Sequence, residues 1–318
     1  MITYLEFEKP IASLEERIAE LRGLDTNHQV DVRNEIERLE KKSGELLAGT
    51  YASLTPWQKT QVARHPQRPH FKDYVDYAFT DFQPLGGDRF FGEDMAILGG
   101  FARLGGRRVM LIGHEKGHDT TSRLKHNFGM GKPEGYRKAV RLMELAGRFG
   151  LPVVTMVDTS GAFPGVEAEE RGQAEAIARS TEACLALPVP LIAVVVGEGG
   201  SGGAVALASA ERVLMMEHAV YSVISPEGCA SILWRTAQKA PEAAQAMKIT
   251  AQNLRQLKVI DRIVNEPLGG AHRDPAMAAD ALSTAIAEEL DTLSLLNSEQ
   301  LVQQREERFL AIGSNLDS

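Results

Sequence analysis

Cysteine is scarce in this chain, whose 318 residues include two, Cys184 and Cys229. The two lie far apart and form no C-x-x-C pair, which argues against a zinc ribbon in this chain. The first residues also lack the charged and apolar pattern of a secretory leader. Few cysteines without a leader are typical of a reducing compartment, so we expect a cytoplasmic protein.

Long hydrophobic runs are missing as well. The longest, residues 191–196, is far below the ~18 residues that a membrane helix needs, and we expect no membrane contact. Positive charge is in deficit, because 35 Lys and Arg stand against 43 Asp and Glu for a formal net charge of −8. This balance disfavours nucleic-acid binding by the chain as a whole, although a local patch leaves it open.

Glycine, in contrast, is well represented, and it is concentrated in the middle of the sequence. Most of the 29 glycines lie within residues 86–270. Before them, apolar residues at three- and four-residue spacing over positions 11–46, broken at 25–27, predict two helices packed as an antiparallel hairpin. The length allows two domains or one with appendages, and the glycine map favours one core with helical ends.

Within the glycine-rich part, strand and helix patterns alternate. A hairpin turning at Gly105 and Gly106 comes first. Further strands are predicted over residues 152–158, 189–196 and 212–217, with helices over 136–149, 170–187 and 202–210. More helices are predicted from residue 275 onwards. Nearly unbroken apolar strands alternating with helices indicate an α/β fold whose sheet is covered by helices.

The densest glycine segment, residues 197–203, joins a predicted strand to a predicted helix. N–H groups at a helix N-terminus lack partners within the helix, and without Cβ atoms an anion or carbonyl oxygen can approach them closely. A second glycine-containing segment, residues 158–165, likewise joins a predicted strand, residues 152–158, to a predicted helix. We interpret Asp158 as a turn former. The two turns together predict an oxyanion site for one planar, oxygen-bearing ligand.

Two other motifs fit the same segment. The G-x-G-x-x-G spacing of residues 197–202 matches a dinucleotide fingerprint, with Glu217 placed where the ribose-binding acid is expected. The G-x-S-x-G spacing of residues 199–203 matches a nucleophile elbow, with Asp261 and His272 following in the appropriate order. Residue spacing alone does not decide among the oxyanion site, the dinucleotide fingerprint and the nucleophile elbow.

A basic stretch spans residues 103–141, where ten Lys and Arg stand against three acids. Such a patch attracts phosphates or an acidic partner. The candidate contacts are Arg107, Lys116, Arg123, Lys125, Lys132, Arg137 and Lys138. His114 has no second His or Cys at ligand spacing, so we expect no metal there.

Long strings of this sequence closely resemble the alpha subunit of bacterial acetyl-coenzyme A carboxylase carboxyltransferase. The resemblance runs from about residue 7 to residue 310 and is carried by residues 64–69, 112–117, 127–130, 133–139, 161–165, 168–173, 197–203 and 221–234. It implies a crotonase-like (ClpP/crotonase) ββα spiral with helical N- and C-terminal extensions. We take residues 1–60 as the N-terminal extension, 61–274 as the carboxyltransferase core and 275–318 as C-terminal helices.

The resemblance also implies partners and substrates. The alpha subunit pairs with a homologous beta subunit, as α2β2, in a complex with biotin carboxylase. Carboxybiotin on the biotin carboxyl carrier protein and acetyl-CoA are the substrates, and malonyl-CoA for fatty acid synthesis is the product. No cofactor is expected to be bound covalently, and zinc is expected only on the beta subunit.

The resemblance assigns roles to residues of the glycine segments. Gly202 and Gly203 are expected to form a backbone oxyanion hole for the ureido oxygen of biotin, and we expect Gly203→Val to abolish transfer in a folded protein. The freed biotin nitrogen can take the proton from the acetyl methyl group, so no protein base is required. The expected substrate-binding residues are Gly161, Ala162, Phe163, Gly165, Gly199, Gly200, Ser201, Lys116 and Arg137.

Two further classes stay open. An RNA-binding regulatory or scaffold protein would use the basic stretch. A coenzyme A hydratase or a serine peptidase on the same fold would be active as this chain alone, whereas a carboxyltransferase half-site needs the beta subunit.

Overall fold

A computed structural model describes residues 2–24 and 30–314. The strands within these residues are β1 Thr80–Pro84, β2 Ile97–Leu104, β3 Arg107–His114, β4 Val153–Thr159, β5 Leu191–Gly200, β6 Arg212–Met216, β7 Val220–Ser222 and β8 Arg262–Val264. The helices are α1 Lys9–Leu24, α2 Val30–Ala52, α3 Pro56–Ala63, α4 Phe71–Ala78, α5 Thr120–Lys125, α6 Pro133–Phe149, α7 Val166–Glu170, α8 Gln173–Ala186, α9 Ser201–Ala208, α10 Pro226–Trp234, α11 Ala240–Met247, α12 Ala251–Gln256, α13 Pro275–Leu293 and α14 Ser298–Ala311. No helix in these ranges is both long and apolar enough to cross a bilayer.

One mixed sheet organises the molecule. Its order is β1-β2-β3-β4-β5-β6-β8, and β7 pairs with the last residues of β5. β1, β2 and β3 are antiparallel neighbours, whereas β3 to β6 and β8 run parallel. The hairpin between β2 and β3 turns at Gly105 and Gly106, both with positive φ, as the sequence predicts.

The strands β4 and β5 form the centre of the core, because every residue of both is buried. Helices α6, α8 and α9 cover the sheet, with Leu142 and Ala176 fully buried against it. A strand buried on both faces needs continuous apolar sequence, which is the pattern predicted for both strands.

The N-terminal helices form the expected antiparallel pair. Ile11 of α1 packs with Leu47 of α2 in a small separate cluster, and Arg22 and Glu40 form an ion pair nearer the connection. The break predicted at positions 25–27 lies outside the described residues.

The C-terminal helices are part of the main core. Leu282 and Leu290 of α13 and Leu301 of α14 are buried in it. The fully buried Arg305 of α14 pairs with the equally buried Glu211 just before β6 and donates to the carbonyl of Leu187 at 3.0 Å. Burial raises the pKa of Glu211, and Arg305 opposes that rise.

We expect Arg305→Met to lower the free energy of unfolding by about 3–5 kcal/mol, because it leaves Glu211 buried without a counter-ion. Chemical denaturation measures the change. The control is Arg179→Met, which breaks the exposed pair with Glu175 and is expected to cost less than about 1 kcal/mol. Equal losses in the two variants would contradict the assigned role.

Candidate active site

The carboxyl ends of β4 and β5 meet at one edge of the sheet. Thr159 pairs with Gly199, so the segments that follow the two strands lie side by side. A Cβ on Gly200 would come within 2.3 Å of the Ser160 carbonyl oxygen. This contact shows that the two glycine segments lie next to each other at the same edge of the sheet.

The segment 197–203 is not the turn that the sequence predicts. β5 continues through Gly200, and α9 begins at the next residue with no intervening loop. The glycines in β5 allow it to lie close to β4, because a Cβ on Gly197 would lie 2.4 Å from Asp158 Oδ1. The sharp change of direction falls on Ser201, which has a positive φ of 52°.

Asp158 is not a turn former either. It is the sixth residue of β4, is fully buried, and pairs with Lys116 Nζ at 2.6 Å. It also accepts the Glu198 N–H at 2.8 Å, which holds β5 against β4. Burial raises the pKa of Asp158, but Lys116 and His70 outweigh burial and the net pKa lies below its usual value.

The first turn of α9 presents backbone donors at this edge. The N–H groups of Ser201, Gly202 and Gly203 have no acceptor within the helix, and no side chain caps them. Gly203 packs on the other segment, where a Cβ would lie 2.8 Å from the Ala162 nitrogen and from the Gly161 carbonyl carbon. The helix can come this close only because residue 203 has no side chain.

Two cavities border the glycine segments. One, of about 580 Å³, opens beside Ser201 and Gly202 and has mainly apolar walls, which include Val205, Val223, Ile224, Met247 and Ile249. The other, of about 200 Å³, is polar and is lined by Arg64, His70, Lys116, Ser160 and Glu198, among others. A larger groove of about 780 Å³ between α6 and α8 is lined by no residue of either glycine segment.

The segment 161–165 is held by its own hydrogen bonds. Gly161 donates its N–H to Thr159 Oγ1 at 3.1 Å, and the Phe163 N–H donates to the Gly131 carbonyl at 3.0 Å. The Phe163 ring lies beneath Lys132 Nζ and leaves no room for a Cβ on Gly165. These bonds fix the segment beside α9 but use N–H groups that a ligand would otherwise take.

The two predicted basic contacts differ in their surroundings. Lys116 lines the polar cavity and forms an ion pair with Asp158. Arg137 pairs with Asp88 at 2.9 Å and donates to the Arg171 carbonyl at 3.0 Å, so its guanidinium has partners within the chain. Much of the basic stretch is neutralised in the same way, through pairs of acids with Arg107, Lys132 and Lys138.

The other two motifs are not assembled. In place of a fingerprint loop, Gly197 and Gly199 are strand residues, and Glu217 accepts the backbone N–H of Glu266. For the nucleophile elbow, His272 stacks on His65 with ring centroids 3.7 Å apart. Asp261 pairs with Arg308 at 3.0 Å, so neither residue supports Ser201.

Two groups at this site were not among the predicted site residues. Arg64 bridges Glu198 and Glu227, with both contacts at 2.6 Å. The Tyr136 hydroxyl is buried without a hydrogen-bond partner and would lie 3.0 Å from a Cβ on Gly203. Nothing in the local sequence indicates the Tyr136 contact.

Comparison with known proteins identifies the family of the chain. A family model described as acetyl co-enzyme A carboxylase carboxyltransferase-like matches residues 4–313. The chain belongs to this family. A carboxyltransferase subunit alpha from Erythrobacter litoralis is 75% identical over 98% of this chain and all of its own length. Another from Rhizorhabdus wittichii is 69% identical over the same shares. The chain is accordingly a transferase subunit, the alpha subunit of an acetyl-CoA carboxylase carboxyltransferase.

Solved structures show that the carboxyltransferase has the expected crotonase-type α/β fold. The beta subunit of geranyl-CoA carboxylase from P. aeruginosa matches with a TM-score of 0.56 at 18% identity, over 77% of this chain and 46% of that one. Transcarboxylase 12S matches with a TM-score of 0.54 at 22% identity, over 69% and 42%. The chain therefore spans less than half of either protein.

We expect Gly203→Ala to lower the free energy of unfolding by about 1–3 kcal/mol and to reduce turnover, because the added methyl group pushes α9 away from residues 161–162. Gly203→Val, which we expect to abolish transfer in a folded protein, would force a larger displacement at the same contact. Gly202→Ala is the matched control for stability, since its Cβ would lie 3.5 Å from Ile177 Cγ2. Denaturation measures the stability of both variants and a carboxyl-transfer assay measures the turnover of Gly203→Ala, and an equal loss of stability in the two variants would contradict this packing argument.

We expect Ser201→Gly to retain carboxyl transfer and to keep or raise stability. Glycine adopts positive φ at no steric cost, whereas other residues lose about 1–2 kcal/mol there. Steady-state turnover and thermal unfolding measure the outcome. A loss of turnover as large as that caused by removing a nucleophile would restore the elbow interpretation.

Proposed function

We propose that this alpha subunit, together with a beta subunit, transfers the carboxyl group of carboxybiotin, carried on the biotin carboxyl carrier protein, to acetyl-CoA and forms malonyl-CoA for fatty acid biosynthesis. The observation that carries the proposal is the first turn of α9. Its N–H groups, which have no acceptor within the helix, lie between the segment 161–165 and the apolar cavity of about 580 Å³. Gly202 and Gly203 are the donors that we assign to catalysis.

The residues present fit a ureido oxygen that gains negative charge. When bound, carboxybiotin supplies the carboxyl group and afterwards a nitrogen that accepts the acetyl methyl proton. The charge on the oxygen needs donors that are fixed in advance, and backbone N–H groups in a helix turn meet that need without titrating. The approach of α9 to Gly161 and Ala162 fixes the turn. The apolar cavity beside it suits the ring system of biotin.

The remaining site residues are proposed to shape the binding surface. The part of this surface that faces α9 is proposed to consist of Gly161, Ala162, Phe163 and Gly165. The end of β5 and the start of α9 contribute Gly199, Gly200 and Ser201. We propose that Lys116, paired with Asp158, positions the strand ends and faces the polar cavity. Arg137 stays a proposed binding residue, and a ligand there would have to compete with Asp88.

We propose that the beta subunit closes the site. Val223 lines the apolar cavity and is 83% exposed, and Ile232 of α10 is 72% exposed, so a partner chain could bury both. The proposed assembly is α2β2, with biotin carboxylase and the carrier protein in the same cytoplasmic complex and zinc on the beta subunit. Within this chain we propose a carboxyltransferase core of residues 61–274, an N-terminal extension of residues 1–60, and C-terminal helices over residues 275–318 that pack into the same hydrophobic core.

The test combines reconstitution with removal of one donor. Mixed with a beta subunit, the chain is expected to form malonyl-CoA, and alone it is expected to form none. Replacing the residue 203 amide by an ester, through glycolic acid at that position, removes the N–H without adding atoms. We expect kcat to fall about 10²–10³-fold, the cost of one oxyanion donor.

The control is the corresponding ester at residue 205, whose N–H is used within α9 and not by a ligand. It is expected to lower stability while leaving kcat within a few-fold. Unchanged turnover with the residue 203 ester would remove the oxyanion assignment. Malonyl-CoA formation by the chain alone would remove the half-site proposal.

A further inference from the structure

Three side chains of types that can ligate a metal ion meet at the N-terminal end of α4, next to the polar cavity. His70, Asp73 and His118 each offer one ligand atom, and the three atoms lie within 4.8 Å of one another. His70 and Asp73 are the N-cap and third residues of α4, whereas His118 comes from the loop after β3. His118 Nε2 is 2.9 Å from Asp73 Oδ2, and the two imidazole rings stack with centroids 4.6 Å apart.

One nitrogen of this cluster has no partner. His70 is 5% exposed, and its Nδ1 atom makes no hydrogen bond. Glu115 Oε1 lies 3.9 Å from it, beyond hydrogen-bond distance. A buried polar atom without a partner costs free energy, and such atoms in a folded protein call for an unseen ligand or another function.

Hydrogen bonds around the cluster already hold its two segments together. The Glu115 carboxylate accepts the Lys72 N–H of α4 at 3.0 Å and the Gly117 N–H of the loop at 2.7 Å. Asp73 accepts the His70 N–H at 2.7 Å, which fixes the start of the helix. His118 is half exposed, so its ring can turn and solvent can reach the centre of the cluster.

Two imidazoles and one carboxylate are the ligands that Zn²⁺ and related transition ions prefer, whereas Mg²⁺ and Ca²⁺ favour oxygen alone. We propose that His70, Asp73 and His118 bind a divalent transition-metal ion, with Zn²⁺ as the best match, and that one coordination position stays open to solvent. The ion would fasten α4 to the loop after β3. This proposal is independent of carboxyl transfer.

The test uses the full chain, stripped with a chelator and titrated with Zn²⁺ or Co²⁺ alone. We expect one equivalent to bind with micromolar affinity or better, to give the visible absorption of four-coordinate Co²⁺ and to raise Tm. His118→Ala and Asp73→Asn are each expected to weaken binding by about 100-fold or more, since each removes one of three ligands. The asparagine keeps an acceptor for the His70 N–H.

The matched control is His272→Asn, which disrupts a second stacked histidine pair, His65 and His272. Among the described residues, no carboxylate completes a three-ligand group with these two rings. This variant is expected to bind as the unaltered chain does, and circular dichroism checks the fold of each variant. Binding weaker than millimolar in the unaltered chain would overturn the proposal. So would equal binding by the folded His118→Ala variant, or a loss of binding in His272→Asn.

Discussion

The site depends on one contact between two stretches of backbone, the ends of β4 and β5. At Gly200 and Gly203 the neighbouring main chain lies where a Cβ would stand, so the separation of the segments is set by atoms that no rotamer change can move. The Asp158 carboxylate holds the same two strands from the buried side, through the Glu198 N–H and Lys116. The donors of α9 take their position from this contact.

Much of the fold follows from patterns that the sequence displays openly. Continuous apolar runs predict β4 and β5, and two glycines between alternating residues predict the β2–β3 hairpin. The predicted ends are less accurate, and β5 is the clearest case. Glycine is normally evidence against a strand, but here Gly197 and Gly200 continue one, because neighbouring atoms leave space for nothing larger.

The site could be predicted in part. Two glycine segments after adjacent parallel strands had to lie at one sheet edge, and they do. The role of Asp158 could not be predicted, because an acid near a strand end is usually a turn residue and only the tertiary structure brings Lys116 to it. The partners of Arg137 and the cluster of His70, Asp73 and His118 likewise join residues separated along the chain.

The buried pair of Arg305 and Glu211 has a consequence for the order of folding. Glu211 lies just before β6 and accepts the Leu191 N–H of β5, whereas its counter-ion comes from α14, 94 residues further along the chain. Until α14 docks, the sheet must either bury a lone carboxylate or keep it protonated or hydrated. The sheet and α14 therefore complete one core together, and a variant that loosens α14 is expected to expose the strands at the end of the sheet opposite the glycine segments.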